Sequence, residues 1–402
     1  MTPPLNEALT EALTGSVTVQ RTRPNLVTSL MSQGQFRLLP MIIVLITVWV
    51  VLQLLTDGLF LSARNLTNLS GQVAITAVLA AGAVMVMIPG YIDLSLGATV
   101  AASAVVAAYA STVFHFPLGA TIAITLAFGL VVGLWHAFWI AWMGVPAFIV
   151  TLASLLAIRG VALIITKAET ISPSNEMLVI SDASLSFTLS IALLVAFWSL
   201  FSLLQLREWR ARRAAGIEAP FASVVGLPIG SLGVVMLGAV GVAASYRGLP
   251  MPDVIVLAVV AVAGLILRYT VFGRRLFAIG GNRIAAELAG INIRAHASLV
   301  FAGMGLLYGV AGLMLVSRLD SAPPGAAVGL ELNVIAAAVI GGTSLLGGRG
   351  TVAGALLGAV LMESLANGMS LMNLPSAYQL IAVGLVLLFA VYADIRGRGR
   401  IG

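Results

Sequence analysis

What most constrains this chain is the recurrence of long apolar runs. A membrane span takes about 20 mostly apolar residues. Runs close to that length follow one another at 38–55, 71–88, 95–114, 118–143, 146–165, 187–204, 227–245, 254–270, 298–316, 351–371 and 378–392, with a less regular stretch at 331–348. Of the 402 residues, 60% are hydrophobic and 9% are charged. A soluble domain carries about 25% charged residues. Too little polar surface remains to cover a water-exposed core of this size, so the chain is an integral membrane protein. Glycines number 42, while aromatics are only 7%. Small residues let spans approach closely, which predicts an all-α polytopic bundle, tightly packed, of about 10–12 spans with broken or re-entrant helices.

The net charge of +6 speaks to orientation more than to nucleic acid. Basic residues cluster beside apolar spans, as the positive-inside rule expects. Four Arg-bearing segments are therefore assigned to the cytoplasm: the N-terminal tail, REWRARRAAGIEAP (207–220), the stretch 268–296, and the closing DIRGRGRIG. The run 207–220 reads as a solvated loop. The parity of spans between these segments favours twelve crossings with both ends inside, which requires 331–348 to cross; ten or eleven crossings stay open as alternatives. The expected organisation is a polar tail over 1–36, a membrane domain over 37–393 with cytoplasmic loops at 205–226 and 271–297, and a second tail over 394–402. The first 35 residues lack the positive-then-apolar pattern of a cleaved signal.

Chemistry-bearing constellations are scarce. No cysteine is present. His115, His136 and His296 lie far apart, at no metal-ligand spacing. The phosphate-cradling pattern G-x-x-x-x-G-K-[ST] does not occur. No catalytic, cofactor-binding or metal-binding residue is predicted.

Two segments break the apolar pattern within spans. The first lies in VMIPGYIDLSLGATVAAS (86–103). A lone acid in hydrocarbon costs roughly 2.5–3.5 kcal/mol on insertion scales. Backbone freed by a helix break must face protein or water. Asp93 either caps the helix that follows, where a carboxyl group suits the first amides, or lines a path with Pro89, Gly90, Ser95 and Gly97. The second break is GGTSLLGGRGT (341–351). At an offset of 252 residues, Ile88, Gly90, Leu94, Thr99, Val100 and Ala101 face Ile340, Gly342, Leu346, Thr351, Val352 and Ala353. Paired broken helices in two halves point to a transport path. Arg159 is a further candidate, since arginine inside a membrane is functional by default; it can equally snorkel to the interface. His136 reads as a packed or hydrogen-bonded histidine.

The stretch FGRRLFAIGGNRIAAELAGINI (272–293) is too polar to span. Asn282 is placed to cap a short helix through Ala285, Ala286, Glu287 and Leu288, and Gly290 to end it. Such a helix on the cytoplasmic face is either a handle for a partner or a surface loop.

Four blocks in order, PGYIDLSLGATVAAS (89–103), VPAFIVTLASLLAIRG (145–160), FAIGGNRIAAELAGINI (277–293) and VIGGTSLLGGRGTVAGALLGA (339–359), resemble the permease subunits of bacterial ATP-binding-cassette importers for monosaccharides, the ribose, xylose and arabinose systems among them. The likeness covers about 36–393. The additional apolar segments near 186–245 resemble the longer xylose permease subunits, so a pentose such as xylose is the first expectation. The resemblance implies two permease copies pairing in the bacterial inner membrane, cytoplasmic ATP-binding subunits docked on a short loop helix, and a periplasmic binding protein that delivers the sugar. It assigns Gly280, Gly281, Asn282, Ala285, Ala286, Glu287, Gly290 and Ile291 to ATPase coupling. It places Asp93, Ser95, Thr343 and Ser344 near the translocation path, and Thr151, Arg159 and Asn333 complete the expected path residues. Transport would follow alternating access, with ATP hydrolysed on the partner and no covalent chemistry on this chain. The rival reading is a secondary sugar transporter driven by an ion gradient, with Asp93 or Glu363 as the embedded acid. A structural or signalling membrane subunit and a hexose or nucleoside importer also stay open.

Overall fold

A computed structural model describes residues 39–217, 220–245 and 248–398. The expected N-terminal tail lies outside these residues, as does the end of the C-terminal tail.

Among the described residues there is no strand, only two isolated bridges, Ile171 with Ala322 and Ser184 with Pro250. The long helices are α1 Leu39–Leu55, α2 Ala63–Met87, α3 Leu96–Ala108, α4 Leu118–Ala137, α5 Ala147–Thr166, α6 Phe187–Ala214, α7 Leu227–Ser245 and α8 Met251–Tyr269. Two short helices follow, α9 Val271–Gly281 and α10 Arg283–Leu288. The chain then forms α11 Ile293–Leu319, α12 Leu330–Ile340, α13 Val352–Leu371 and α14 Ser376–Arg398. One-turn π-helices extend α3 through Val113 and α4 through Trp142. Eight of the described helices are long and apolar enough to cross a membrane, and three shorter apolar helices, Pro40–Leu55, Leu330–Ile340 and Ser376–Tyr392, accompany them. The all-α polytopic bundle is the observed fold.

The centre of the bundle is α11, packed against α2, α3 and α4. Gly305 meets Gly129 and Gly133 backbone to backbone, so a side chain at any of the three would collide with the facing helix. Small residues are what permit this approach where water-driven packing is absent. Along α13, Ser364 accepts from the Trp49 indole at 2.9 Å, Glu363 accepts from the Thr76 hydroxyl at 2.6 Å, and Asn367 accepts from the Asn65 amide at 2.9 Å. These bonds fasten α1 and α2 to α13. The pair α6 and α7 packs mainly on itself.

Several boundaries differ from expectation, each for a local reason. The α2 helix starts at Ala63 rather than near 71, because Ser62 accepts from the Asn65 amide and Asn65 is buried against Phe60 and Asn367. Hydropathy cannot see such a polar but partnered turn. The basic run 207–220 is not a loop throughout. It continues α6 to Ala214, and Glu208 draws Arg212 and Arg268 onto itself. The expected loop 271–297 is two helices, with α11 already begun at Ile293. The stretch 331–348 is neither one full span nor two half-helices. An 11-residue α12, rising about 16 Å, gives way to an irregular segment, 341–351.

Candidate functional site

The first break begins where α2 ends. The Gly90 amide donates to the Met87 carbonyl at 2.9 Å, and the Tyr91 amide donates to the Val86 carbonyl at 3.2 Å. Gly90 sits at φ +91°, a conformation glycine reaches without a side-chain clash. The second break begins in the same way. The Gly342 amide donates to Val339, the Thr343 amide to Ala338, both at 2.9 Å, and Gly342 has φ +86°. Every one of these positions matches its counterpart at the offset of 252. The faint sequence repeat is therefore a repeat of backbone hydrogen bonding.

Beyond the glycines the breaks diverge. Asp93, only 3% exposed, accepts from the Ser95 amide at 2.9 Å, from the Ser95 hydroxyl at 2.7 Å, and from the Tyr308 hydroxyl of α11. The carboxyl group organises the turn ahead of α3 instead of bonding the first helical amides. Thr151 of α5 bonds back within its own helix and also reaches the Ile92 carbonyl at 3.3 Å. His136 is fully buried with its ring edge toward Tyr308, and neither ring nitrogen has a partner. Asp93, Ser95 and Thr151 are thus brought together, with Tyr308 as the member that no sequence signal marked.

In the second break, Ser344 donates its amide to the Arg349 carbonyl at 3.0 Å. The Thr343 hydroxyl is buried without a hydrogen-bond partner. Thr351 caps α13 by accepting from the Gly354 amide at 3.1 Å. The two breaks touch, for the Gly348 amide donates to the Ile88 carbonyl at 2.8 Å.

Arg159 and Asn333 belong to another group. Arg159 reaches the loop that follows α11. Its Nη1 donates to the Pro324 carbonyl at 3.0 Å and the Ala326 carbonyl at 2.6 Å, and Glu331 attracts it. Glu331 lies against Gly97 at the start of α3, and its Oε2 is buried without a partner. Asn333 stands two residues on, in the first turns of α12. Glu331 escaped sequence reasoning because it sits at the edge of an irregular apolar stretch.

The α9–α10 arm is built by its caps. Thr270 accepts from the Gly273 amide at 3.1 Å, and Asn282 accepts from the Ala285 amide at 2.9 Å. Gly290, at φ +80°, ends the arm with its amide on the Glu287 carbonyl, while the Ile291 amide reaches the Ala286 carbonyl. Ala286 is buried with Ile279 and Ile293, and Ile291 packs on that cluster. Gly281, Asn282, Ala285 and Glu287 are exposed, whereas Gly280 faces inward. The outer face also carries Ile284 and Leu288, 74% and 85% exposed and one turn apart. An apolar i, i+4 pair inside a polar stretch was a readable signal. A cavity of about 310 Å³ lies beside the arm, lined by Arg283 of the arm and by Tyr91, Gly144, Pro146 and Phe148.

The model of a known family matches residues 65–391; its description is "branched-chain amino acid transport system / permease component". The chain belongs to that permease family. It is 43% identical over 350 residues to the xylose transport system permease protein of Escherichia coli (strain K12), covering 84% of this chain and 86% of that one. To the xylose permease of Haemophilus influenzae it is 42% identical over 356 residues, 88% of this chain and 95% of the other. The ribose import permease of the same organism is 33% identical over 335 residues, with 83% and 86% covered. No solved structure matches the chain.

Proposed function

We propose that this permease subunit carries a pentose, xylose first, into the cytoplasm by alternating access, driven by ATP hydrolysis on a separate partner. The observation that carries the proposal is 43% identity to a xylose permease over 350 residues, 84% of this chain. The family description names amino acids, but the relatives at 42–43% are xylose permeases and the ribose permease follows at 33%.

The geometry supports the division of labour. The α9–α10 arm is held rigid by its caps and offers Ile284 and Leu288 outward. An exposed apolar pair on an otherwise basic surface suits the groove of an ATP-binding subunit. Gly281, Asn282, Ala285 and Glu287 surround that pair. Gly290 and Ile291 close the arm, and Ala286 anchors it from within. Asp93, Ser95, Thr151, Thr343 and Ser344 shape the helix breaks, while Arg159 and Asn333 edge the loop opposite Gly97; these are the proposed neighbours of the path. The proposal includes a second copy of the chain, a periplasmic sugar-binding protein, and placement in the bacterial inner membrane. Both termini lie in the cytoplasm, with twelve crossings if α12 counts as one. Within it, 37–393 form the membrane domain, flanked by the tails 1–36 and 394–402.

The ion-coupled alternative needs an embedded acid free for the ion. Asp93 takes three donors, and Glu363 takes Thr76 and faces Arg318. Both acids already have structural work. The test of docking is co-purification of candidate ATP-binding subunits with the wild-type chain and with the pair Ile284→Glu and Leu288→Glu. The wild type should retain the subunit and the pair should lose it, while the thermal midpoint of the exposed-site variant stays within about 0.5 kcal/mol equivalent of wild type. An ATP-binding subunit that stays bound to the pair contradicts this docking face.

A further inference from the structure

Three segments remote in sequence meet at one point with no side chain between them. Gly280 lies in the last turn of the arm helix α9. A Cβ there would collide with the Ile88 carbonyl oxygen and the Gly348 amide. Ile88 and Gly348 are themselves joined by the 2.8 Å hydrogen bond between the two breaks. A Cβ on Gly347 would lie 2.9 Å from the Ile88 carbonyl oxygen, 3.1 Å from the Gly90 amide and 3.2 Å from the Gly280 carbonyl. One on Gly348 would lie 3.1 Å from the Gly280 carbonyl. Gly347 and Gly348 both hold positive φ, +86° and +76°, so the second break turns sharply where it touches the other two. The next residue, Gly281, has open space around its Cβ position. One of two adjacent glycines is therefore demanded by contact and the other is not.

We propose that Gly280 is a positioning residue for transport, passing the displacement of the α9–α10 arm directly to both helix breaks. The inference rests on the reading that an ATP-binding subunit docks on the outer face of that arm. Side chains between moving parts can change rotamer and absorb a displacement. Backbone packed on backbone has no such freedom, and close-packed contacts transmit strain. The first break joins this junction through Ile88 and Gly90, and the second through Gly347 and Gly348. A shift at Gly280 therefore reaches Asp93 and Thr343 through chain segments only a few residues long. The repeated breaks would then respond together, which is what opening one side of a path while closing the other requires.

The test compares Gly280→Ala with Gly264→Ala, at a glycine of α8 that also has open space around its Cβ position, in the reconstituted complex of permease, ATP-binding subunit and sugar-binding protein. Three quantities are read: recovery of the ATP-binding subunit, ATP hydrolysis and sugar uptake. Gly264→Ala should match wild type in all three. Because overpacking forces the contact apart, Gly280→Ala should keep the ATP-binding subunit, hold hydrolysis within about twofold, and lose uptake by about tenfold or more. Wild-type uptake by Gly280→Ala overturns the inference. Parallel loss of the ATP-binding subunit, hydrolysis and uptake also overturns it, since Gly280 would then serve docking or folding. If the variant is not recovered from membranes, hydrogen exchange on the wild-type complex decides. Adding a non-hydrolysable ATP analogue should change the protection of 86–91, 277–281 and 345–350 together; a response confined to 277–281 refutes the junction. If no ATP-binding subunit binds even the wild type, the importer reading itself has failed, and that result is distinct from the others.

Discussion

The two helix breaks start alike and finish by different means. In both, a glycine at positive φ and two backbone bonds end the incoming helix, residue for residue at an offset of 252. At that same offset, Asp93 and Ser95 of the first break face Leu345 and Gly347 of the second. The first break is closed by side chains: Asp93 collects Ser95 and, across the bundle, Tyr308. The second is closed mostly by backbone: the Ser344 amide bonds Arg349 and the Gly348 amide bonds Ile88, while the Ser344 hydroxyl accepts from the Leu346 amide within the same loop. Both breaks meet each other and the α9–α10 arm, and the first is also pinned to the central helix α11 by the side-chain bond between Asp93 and Tyr308. The difference shows how a repeated motif can be held in place by two different sets of bonds.

The sharpest way to break this comparison is Asp93→Leu. It leaves the Tyr308 hydroxyl and both Ser95 donors without their acceptor in a buried site. At about 1–3 kcal/mol for each stranded group, we expect a loss of several kcal/mol in thermal unfolding and no measurable uptake. Leu345→Ala in the second break strands no polar group and should cost far less in the same assay. A result with the two variants equal would erase the distinction between the breaks.

Tyr308→Phe is the next largest. It removes one donor and keeps the ring packing, so about 1–3 kcal/mol is expected, well short of Asp93→Leu. Thermal unfolding in detergent checks the order. A larger loss than Asp93→Leu would mean that the tyrosine acts through packing rather than through the acid.

The smallest effects test the shared part. Gly90→Ala and Gly342→Ala each force an alanine into a left-handed conformation, at about 1–2 kcal/mol. Neither site has an atom closer than 3.9 Å to the added Cβ. The two costs should agree; a clear difference would show that the matching hydrogen bonds hide unequal surroundings.

The sequence carried some of this plainly. Apolar runs marked the long helices, because length and hydropathy are what a membrane demands. Asn282 and Gly290 announced the short arm helix, since a cap and a stop act locally. Gly90 and Gly342 were visible as a repeat, although only the backbone bonds gave that repeat physical content. Other features depend on contacts remote in sequence. Nothing near Tyr308 says that it will meet Asp93, 215 residues away. Nothing near Arg159 says that the Pro324 and Ala326 carbonyls, more than 160 residues on, will accept from it. The polar first turns of α2 looked like a loop because their partner, Asn367, lies some 300 residues on.

The central claim is that this chain moves a pentose only when an ATP-binding partner drives it. The most direct measurement is radiolabelled xylose uptake into sealed vesicles holding the chain with a candidate ATP-binding subunit and sugar-binding protein. The account predicts uptake that requires ATP, the ATP-binding subunit and the binding protein together, and that persists when the proton gradient is collapsed. Uptake by the chain alone under a proton or sodium gradient, indifferent to ATP, would contradict it.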